Sequence, residues 1–391
     1  MSEIKVNSIK GVGASTAAIT VNNTDGTCTA NITNNLSNRN LIINGAMQVA
    51  QRGTSSTSAG YQTVDRFVFS WSGTDESPTQ EQADVASGTT PYSLGFRKSY
   101  KVTNGNQTGG AGNGDYVRFY QVIESQNIAS SGWNYVSSSS NITFSFWIKS
   151  SVAQNFYGYL LTQDGSAQMY PYETGSLSAD TWTKVTKTIP GNSNLQFDND
   201  ANQGVYFFLW PFAGTDFTNN SATNDAWTAY SGSARMKDAT STWYTTNNAT
   251  LEITGVQVEV GSVATDFEHR SFAQELALCQ RYYQRYREGN NVSLGHGFAY
   301  GSNEVDLPIT FIVPMRSAPS LDQNVSTSGY VKIENDSLGG SAYVNNNFTI
   351  QFATTNGCNI YADPDPSLTV GQSFHLTLRN ASAYVAFHAE L

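Results

Sequence analysis

Chemistry that makes or breaks covalent bonds needs a nucleophile, a base or a metal, and the chain spaces few of these usefully. No Gly-X-Ser-X-Gly elbow occurs. The histidines, His269, His296, His375 and His388, fall in no HExxH or other ligand spacing. His296 sits in Leu294-Gly-His-Gly-Phe298, which reads as a turn, whereas His375 and His388 read as strand residues. Cys28, Cys279 and Cys358 are far apart and odd in number, so neither a zinc site nor a disulfide framework is expected. Asp363-Pro-Asp365 is the closest local carboxylate pair and reads as a proline-stiffened loop, with a calcium loop as the alternative. Gly109 to Gly114 is glycine-rich but flanked by strand signals, so it reads as a hairpin loop rather than a phosphate cradle. The expectation is a protein that is not an enzyme, with no catalytic residue, no metal and no cofactor.

Binding chemistry is better represented. The chain holds seven Trp, 21 Tyr and 20 Phe. Flat rings stack on the C–H faces of sugars, while Asn, Asp and Gln satisfy hydroxyls. Trp71, Trp133, Trp210, Trp227 and Trp243 lie near expected strand ends or in loops among such polar residues, where binding sites concentrate. These five are the candidate glycan-binding residues. Trp147 lies off the apolar face of its strand.

The elements that must carry these rings are strands. Only 13% of the 391 residues are charged, so Asn, Ser, Thr, Gln and Gly must supply the polar surface, and these are poor helix formers. Strand signals occur over residues 41–43, 64–71, 96–102, 116–123, 142–148, 156–161, 182–189, 205–210 and 251–260. In Asn141 to Lys149, Ile142, Phe144, Phe146 and Ile148 share one face. After Gly255 the phase shifts to Val256 and Val258, which predicts a bulge. About nine strands with turn-rich spacers predict a jelly-roll β-sandwich over residues 40–270. A smaller β-sandwich is expected over residues 289–391, with no fixed repeat to suggest a β-helix or propeller. The fold class is therefore all-β.

One helix is expected to join the two β units over residues 271–288. Ser271 and Gln274 form a capping box. Phe272, Leu276, Cys279, Tyr283 and Tyr286 are spaced four, three, four and three, an a/d stripe that suits self-association. Arg270, Arg281, Arg285 and Arg287 crowd this helix and would oppose close packing unless Glu275 or Glu288 pairs with them. Residues 1–39 form an extended arm with two short strands, in which Ile4, Val6, Ile9, Ile19 and Val21 are the candidate anchoring residues.

The net charge of −10, from 21 basic and 31 acidic residues, disfavours nucleic acid and anionic membranes as partners. No run of 18 apolar residues predicts a transmembrane helix, and the first residues hold no secretory h-region. Sparse cysteine use fits synthesis in a reducing cytoplasm.

Several stretches resemble a family of tail-fibre-like virion proteins of phages, including those of marine bacteria and cyanobacteria. They are Asn40-Leu-Ile-Ile-Asn-Gly-Ala-Met-Gln-Val-Ala-Gln-Arg-Gly53, Tyr61-Gln-Thr-Val-Asp-Arg-Phe67, the run from Leu251 to Tyr283, and Leu307 to Pro319. The resemblance implies a jelly roll like that of carbohydrate-binding modules, a virion location, a homotrimer and no enzyme activity. It also implies attachment to other virion proteins through the N-terminal arm and binding of a host-surface glycan. A collar or head decoration protein, and a glycan-degrading tail spike, are the alternatives.

Overall fold

The computed structural model describes residues 6–12, 19–21, 24, 28–30, 38–327, 329–334, 342–344, 346–365 and 368–391, with the backbone alone for 28–30. In the arm, β1 (Ser8–Ile9), β2 (Ile19–Val21) and β3 (Cys28–Ala30) pair antiparallel in that order. Three strands, rather than the two expected, make it a small meander. Val6 and Ile9 are about half exposed, and Ile19 and Val21 are half-buried. Ile4 lies outside the described residues.

Twelve strands follow. They are β4 (Ser55–Ser56), β5 (Val68–Ser72), β6 (Thr79–Asp84), β7 (Lys98–Thr103), β8 (Tyr116–Glu124) and β9 (Asn141–Ser150), then β10 (Asn155–Thr162), β11 (Gln168–Ser176), β12 (Thr183–Pro190), β13 (Gln203–Ala213), β14 (Thr228–Ala229) and β15 (Thr250–Val260). Short helices α1 (Thr90–Ser93), α2 (Ser125–Ala129) and α3 (Thr242–Thr245) interrupt them. Two six-stranded antiparallel sheets result, ordered β14-β11-β10-β13-β8-β5 and β12-β9-β15-β7-β6-β4. Their facing residues, among them Phe69, Tyr100, Phe119, Phe144, Phe146, Phe207 and Ile253, are buried in one core. Alternation at Ile142, Phe144, Phe146 and Ile148 is what puts β9 there. At Gly255 (φ +62°) the β15 register slips between Thr254 and Gln257, and a Cβ there would meet the Phe96 ring at 2.6 Å.

Two connections differ from expectation. Residues 41–43 are not a strand but a buried turn. Asn40 Oδ1 accepts from the Ile42 and Val258 N–H groups, and Asn44 Oδ1 accepts from that of Val49. These side chains replace ladder hydrogen bonds, so Ile42 and Ile43 are buried without a strand. The glycine run at 109–114 is not a hairpin, because β7 and β8 lie in opposite sheets and the loop crosses between them.

The joining helix α4 spans Phe272–Gln280, with the expected capping box between Ser271 and Gln274. It does not reach residue 288. The chain turns at Arg281 and runs extended as β16 (Tyr283–Gly301). The last unit then adds β17 (Glu304–Thr310), β18 (Ser320–Asn324), β19 (Val331–Glu334), β20 (Ala342–Val344), β21 (Thr349–Gln351), β22 (Gly357–Ala362), β23 (Pro364–Asp365) and β24 (Ser373–His388). Tyr283, Gln284 and Arg285 pair with His388, Phe387 and Ala386 of β24. This long-range ladder, favoured by the tyrosines, overrides the heptad spacing. The stripe is accordingly broken up. Phe272 is 55% exposed, Leu276 half-buried, Cys279 and Tyr283 fully buried, and Tyr286 packs on Phe387. Cys279 contacts Ile43, Val49 and Tyr282 of its own chain. The nine strands form one antiparallel sheet curled into a half-barrel around Leu307, Val331, Ile333, Ile360, Leu376 and Val385. One edge of β24 pairs with β16, while the other pairs first with β19 and then with β18.

The joint between sandwich and half-barrel is polar and buried. Arg66, 1% exposed, pairs with Glu390 and lies 3.4 Å over the Tyr282 ring. Arg281 grips Glu124 through two hydrogen bonds of 2.8 and 2.9 Å, and Tyr282 Oη donates to the same carboxylate. Arg270 pairs with Glu268 and Glu275, and Arg285 with Glu288, while Arg287 donates to the Ser293 and Tyr286 carbonyls. The arginines that crowd this segment are thus met within one chain. Burial pushes the Asp65 carboxyl up to about 6, although Gln51 donates to it through both backbone and side chain.

Candidate functional site

The outer face of the first sheet is built from aromatic rings. On β8, Tyr116, Arg118 and Tyr120 point outward while Val117 and Phe119 point into the core. On β13, Tyr206, Phe208 and Trp210 do the same while Val205, Phe207 and Leu209 point inward. Pro211 follows Trp210 where the ladder with β8 slips between Leu209 and Phe212, a bulge that tolerates its missing N–H. Tyr157 and Tyr159 arrive from β10, opposite Trp210 and Phe208. The connection after β13 folds back and adds Phe217, Tyr230 and Arg235.

These rings touch in a chain. Phe208 lies 4.6 Å from Tyr120, 4.6 Å from Tyr159 and 5.5 Å from Tyr206. Trp210 lies 5.5 Å from Tyr116 and 5.8 Å from Phe217. Phe208 and Trp210 are buried beneath their neighbours, whereas Tyr116, Tyr120, Tyr157 and Tyr206 stay half-buried. Burial raises the Tyr120 phenol and pushes that of Tyr206 up to about 12, so both remain protonated donor–acceptors at neutral pH. Half-buried tyrosines supported by a packed apolar floor can stack on a flat or C–H-faced ligand and hydrogen-bond its edges.

The candidate tryptophans do not assemble into a site. Trp133, Trp210 and Trp243 are 3%, 1% and 0% exposed. Trp133 Nε1 donates to the Ser140 carbonyl, and Trp243 is enclosed between the sheets. All three are too enclosed to stack on a ligand, Trp133 and Trp243 in the core between the sheets and Trp210 under the rings of the outer face. Trp210 still contributes to the outer face as its floor. Trp71 faces inward and packs 5.1 Å from Phe69. Trp227 packs on Tyr170 and donates to the Pro190 carbonyl. The tyrosines that do line the face show a readable signal, since Tyr116/Tyr120 and Tyr206/Phe208/Trp210 alternate with apolar residues at period two. A run such as Val205-Tyr-Phe-Phe-Leu-Trp210 is apolar on both faces.

Three other places hold functional groups. A cleft of about 250 Å³ lies on the opposite sheet between Phe96, Trp147, Phe267 and His269, over Gly255. Phe96, Phe267 and His269 pack on one another there, with Phe96 4.9 Å from Phe267 and 5.1 Å from His269, while Trp147 is half-buried beside them. A cleft of about 380 Å³ at the joint is lined by Arg52, Tyr283, Arg285, Asp322 and Tyr384. There Tyr283 and Tyr384 both donate to Asp322, and Arg52 pairs with Glu390. On the half-barrel, Ser293 Oγ lies 2.7 Å from His375 Nε2, and Glu334 lies 3.4 Å from Nδ1. The order is that of a hydrolytic triad. Burial works against the Glu334 charge, but Thr377, Lys332 and Arg379 hold its carboxyl down at about 2. Ser293 is exposed on an open sheet, where water screens any developing charge. The cluster is a cross-strand polar ladder. Asp363 of the carboxylate pair accepts from Asn346, and the described residues contain no cluster of three metal-ligating side chains. No helix among the described residues is long and apolar enough to cross a membrane.

No family model matches the chain, and no curated protein matches it in sequence. Among solved structures it is similar to the enzymatically active domain of tailspike protein 4 of bacteriophage CBA120, at 12% identity and a TM-score of 0.30 over 57% of this chain. That match spans only 21% of the tailspike chain. It is also similar to a CBM4 structure, at 13% identity and a TM-score of 0.29 over 56% of this chain and 98% of that one. A third is the tandem CBM22 domain from Paenibacillus barcinonensis, at 8% identity and a TM-score of 0.23 over 83% and 93%. Likenesses this distant assign no function to the chain.

Proposed function

We propose that the chain is a phage virion protein of the tail-fibre type that binds a host-surface glycan on the outer aromatic face of its sandwich and does not cleave it. The observation that carries this reading is the continuous run of rings on that face, with half-buried Tyr116, Tyr120, Tyr157 and Tyr206 around the buried Phe208 and Trp210. Phe208 and Trp210 are buried there, and it is the partly exposed tyrosines packed over them that offer ring surface to a ligand on a rigid sheet. The motifs that resemble tail-fibre proteins support the virion setting. In this fold, Asn40 and Asn44 of those motifs hold the buried turn, Arg270 pairs with Glu275, and Arg66 pairs with Glu390 at the joint.

The trimer belongs to this reading through the resemblance alone, since the stripe that would have formed it is dispersed within one chain. The test is to incubate the protein with immobilised bacterial surface polysaccharides. Retention on at least one, without new reducing ends, is expected. New reducing ends would replace this reading with that of a degrading tail spike, and no retention on any would remove it.

A further inference from the structure

We infer that the glycan taken by this face is acidic, its anionic groups held by Arg118 and Arg235. This rests on the glycan-binding reading of the face. Arg118 lies in its middle, with the guanidinium 4.9 Å from the Tyr116 ring centre and 5.1 Å from that of Trp210. Arg235 approaches the same indole at 5.6 Å from the folded-back connection. The arginines of the joint are met by carboxylates or backbone carbonyls, but the described residues give neither Arg118 nor Arg235 a carboxylate. Arg118 Nε, Arg235 Nε and Trp210 Nε1 of this patch are buried donors without a partner among the described residues, as are Arg66 Nε and Arg270 Nε at the joint, so what distinguishes Arg118 and Arg235 is that no carboxylate among the described residues neutralises them. A guanidinium that rests its flat face on rings keeps its in-plane N–H groups for an oxyanion.

The molecule as a whole carries −10, which repels anions. That repulsion is screened beyond about 8 Å at physiological salt, whereas a docked oxyanion touches the arginines directly. Contact therefore outweighs net charge. Carboxylates and sulfate esters both supply the oxyanion, and the probes separate them.

The probes are polygalacturonate, alginate, hyaluronate and polysialic acid, each beside its carboxyl-reduced neutral form, with dextran sulfate beside dextran. The full chain is expected to bind at least one acidic member at least tenfold more tightly than its neutral counterpart. Carboxylated and sulfated hits respectively assign the two sources. Arg118→Gln and Arg235→Gln should each erase that preference, and Arg118→Lys should restore part of it. Thermal melts of the variants, expected within a few degrees of the parent, exclude unfolding. Equal binding of acidic and neutral members, or preferences unchanged in both glutamine variants, overturns the inference and leaves glycan binding standing. Failure to bind any probe, acidic or neutral, overturns both.

Discussion

At the scale of single residues, position on the sheet decides what an aromatic side chain does. Tyr120 and Tyr206 flank Phe208 and are only half-buried, so truncating either should weaken ligand binding more than folding. Tyr120→Ala and Tyr206→Ala should each cost about 0.5–1.5 kcal/mol of binding, roughly two- to tenfold in affinity by titration. Trp210→Ala should instead lower stability by about 3–5 kcal/mol, measured by denaturant unfolding, because that ring is enclosed. Asp65 sets a pH dependence. Its carboxyl titrates at about 6 in the folded chain against an ordinary value of 3.8. The folded state therefore holds the proton to higher pH. The associated stability is full below about pH 4 and is lost as pH rises to about 6, on the order of 3 kcal/mol. Asp65→Asn should flatten that part of the stability profile relative to the parent, and an unchanged slope would refute the assignment.

At the scale of elements, the joint depends on charges that cannot be left alone. Glu390→Ala strands the buried Arg66 and should cost about 3–5 kcal/mol in unfolding experiments, whereas Arg66→Met with Glu390→Gln should cost less. Much of the fold was legible because strands declare themselves by alternation, as in Ile142 to Ile148, and because Gly255 and the Ser271–Gln274 box are local signals. The end of α4 was not legible. What stops it is the pairing of Tyr283 to Arg285 with β24, about a hundred residues away, which no local spacing encodes. The buried turn at 41–43 escaped for a related reason, since its hydrogen bonds come from Asn40 and Asn44 side chains. Half of the candidate site was hidden by attention to tryptophan. Trp133 and Trp243 fill the core, while the tyrosines alternating along β8 and β13 turn outward.

At the scale of the whole molecule, a rigid sandwich and half-barrel are locked together, which leaves the outer aromatic sheet as a fixed platform. The dispersed stripe means that Phe272→Asp, at an exposed position, should leave mass and melting temperature unchanged in light scattering and calorimetry. Cys279→Asp, at a fully buried one, should unfold the joint. The central claim is that ligand binds on the face carrying Tyr120 and Tyr206 and not in the cleft at Trp147 on the opposite sheet. The most direct measurement is the affinity of a bound polysaccharide for the parent, Tyr120→Ala/Tyr206→Ala and Trp147→Ala, each checked for an unchanged melting temperature. The double variant should lose most of the affinity, and Trp147→Ala should keep it. Loss in Trp147→Ala with full binding by the double variant would contradict the account and move the site to the other sheet.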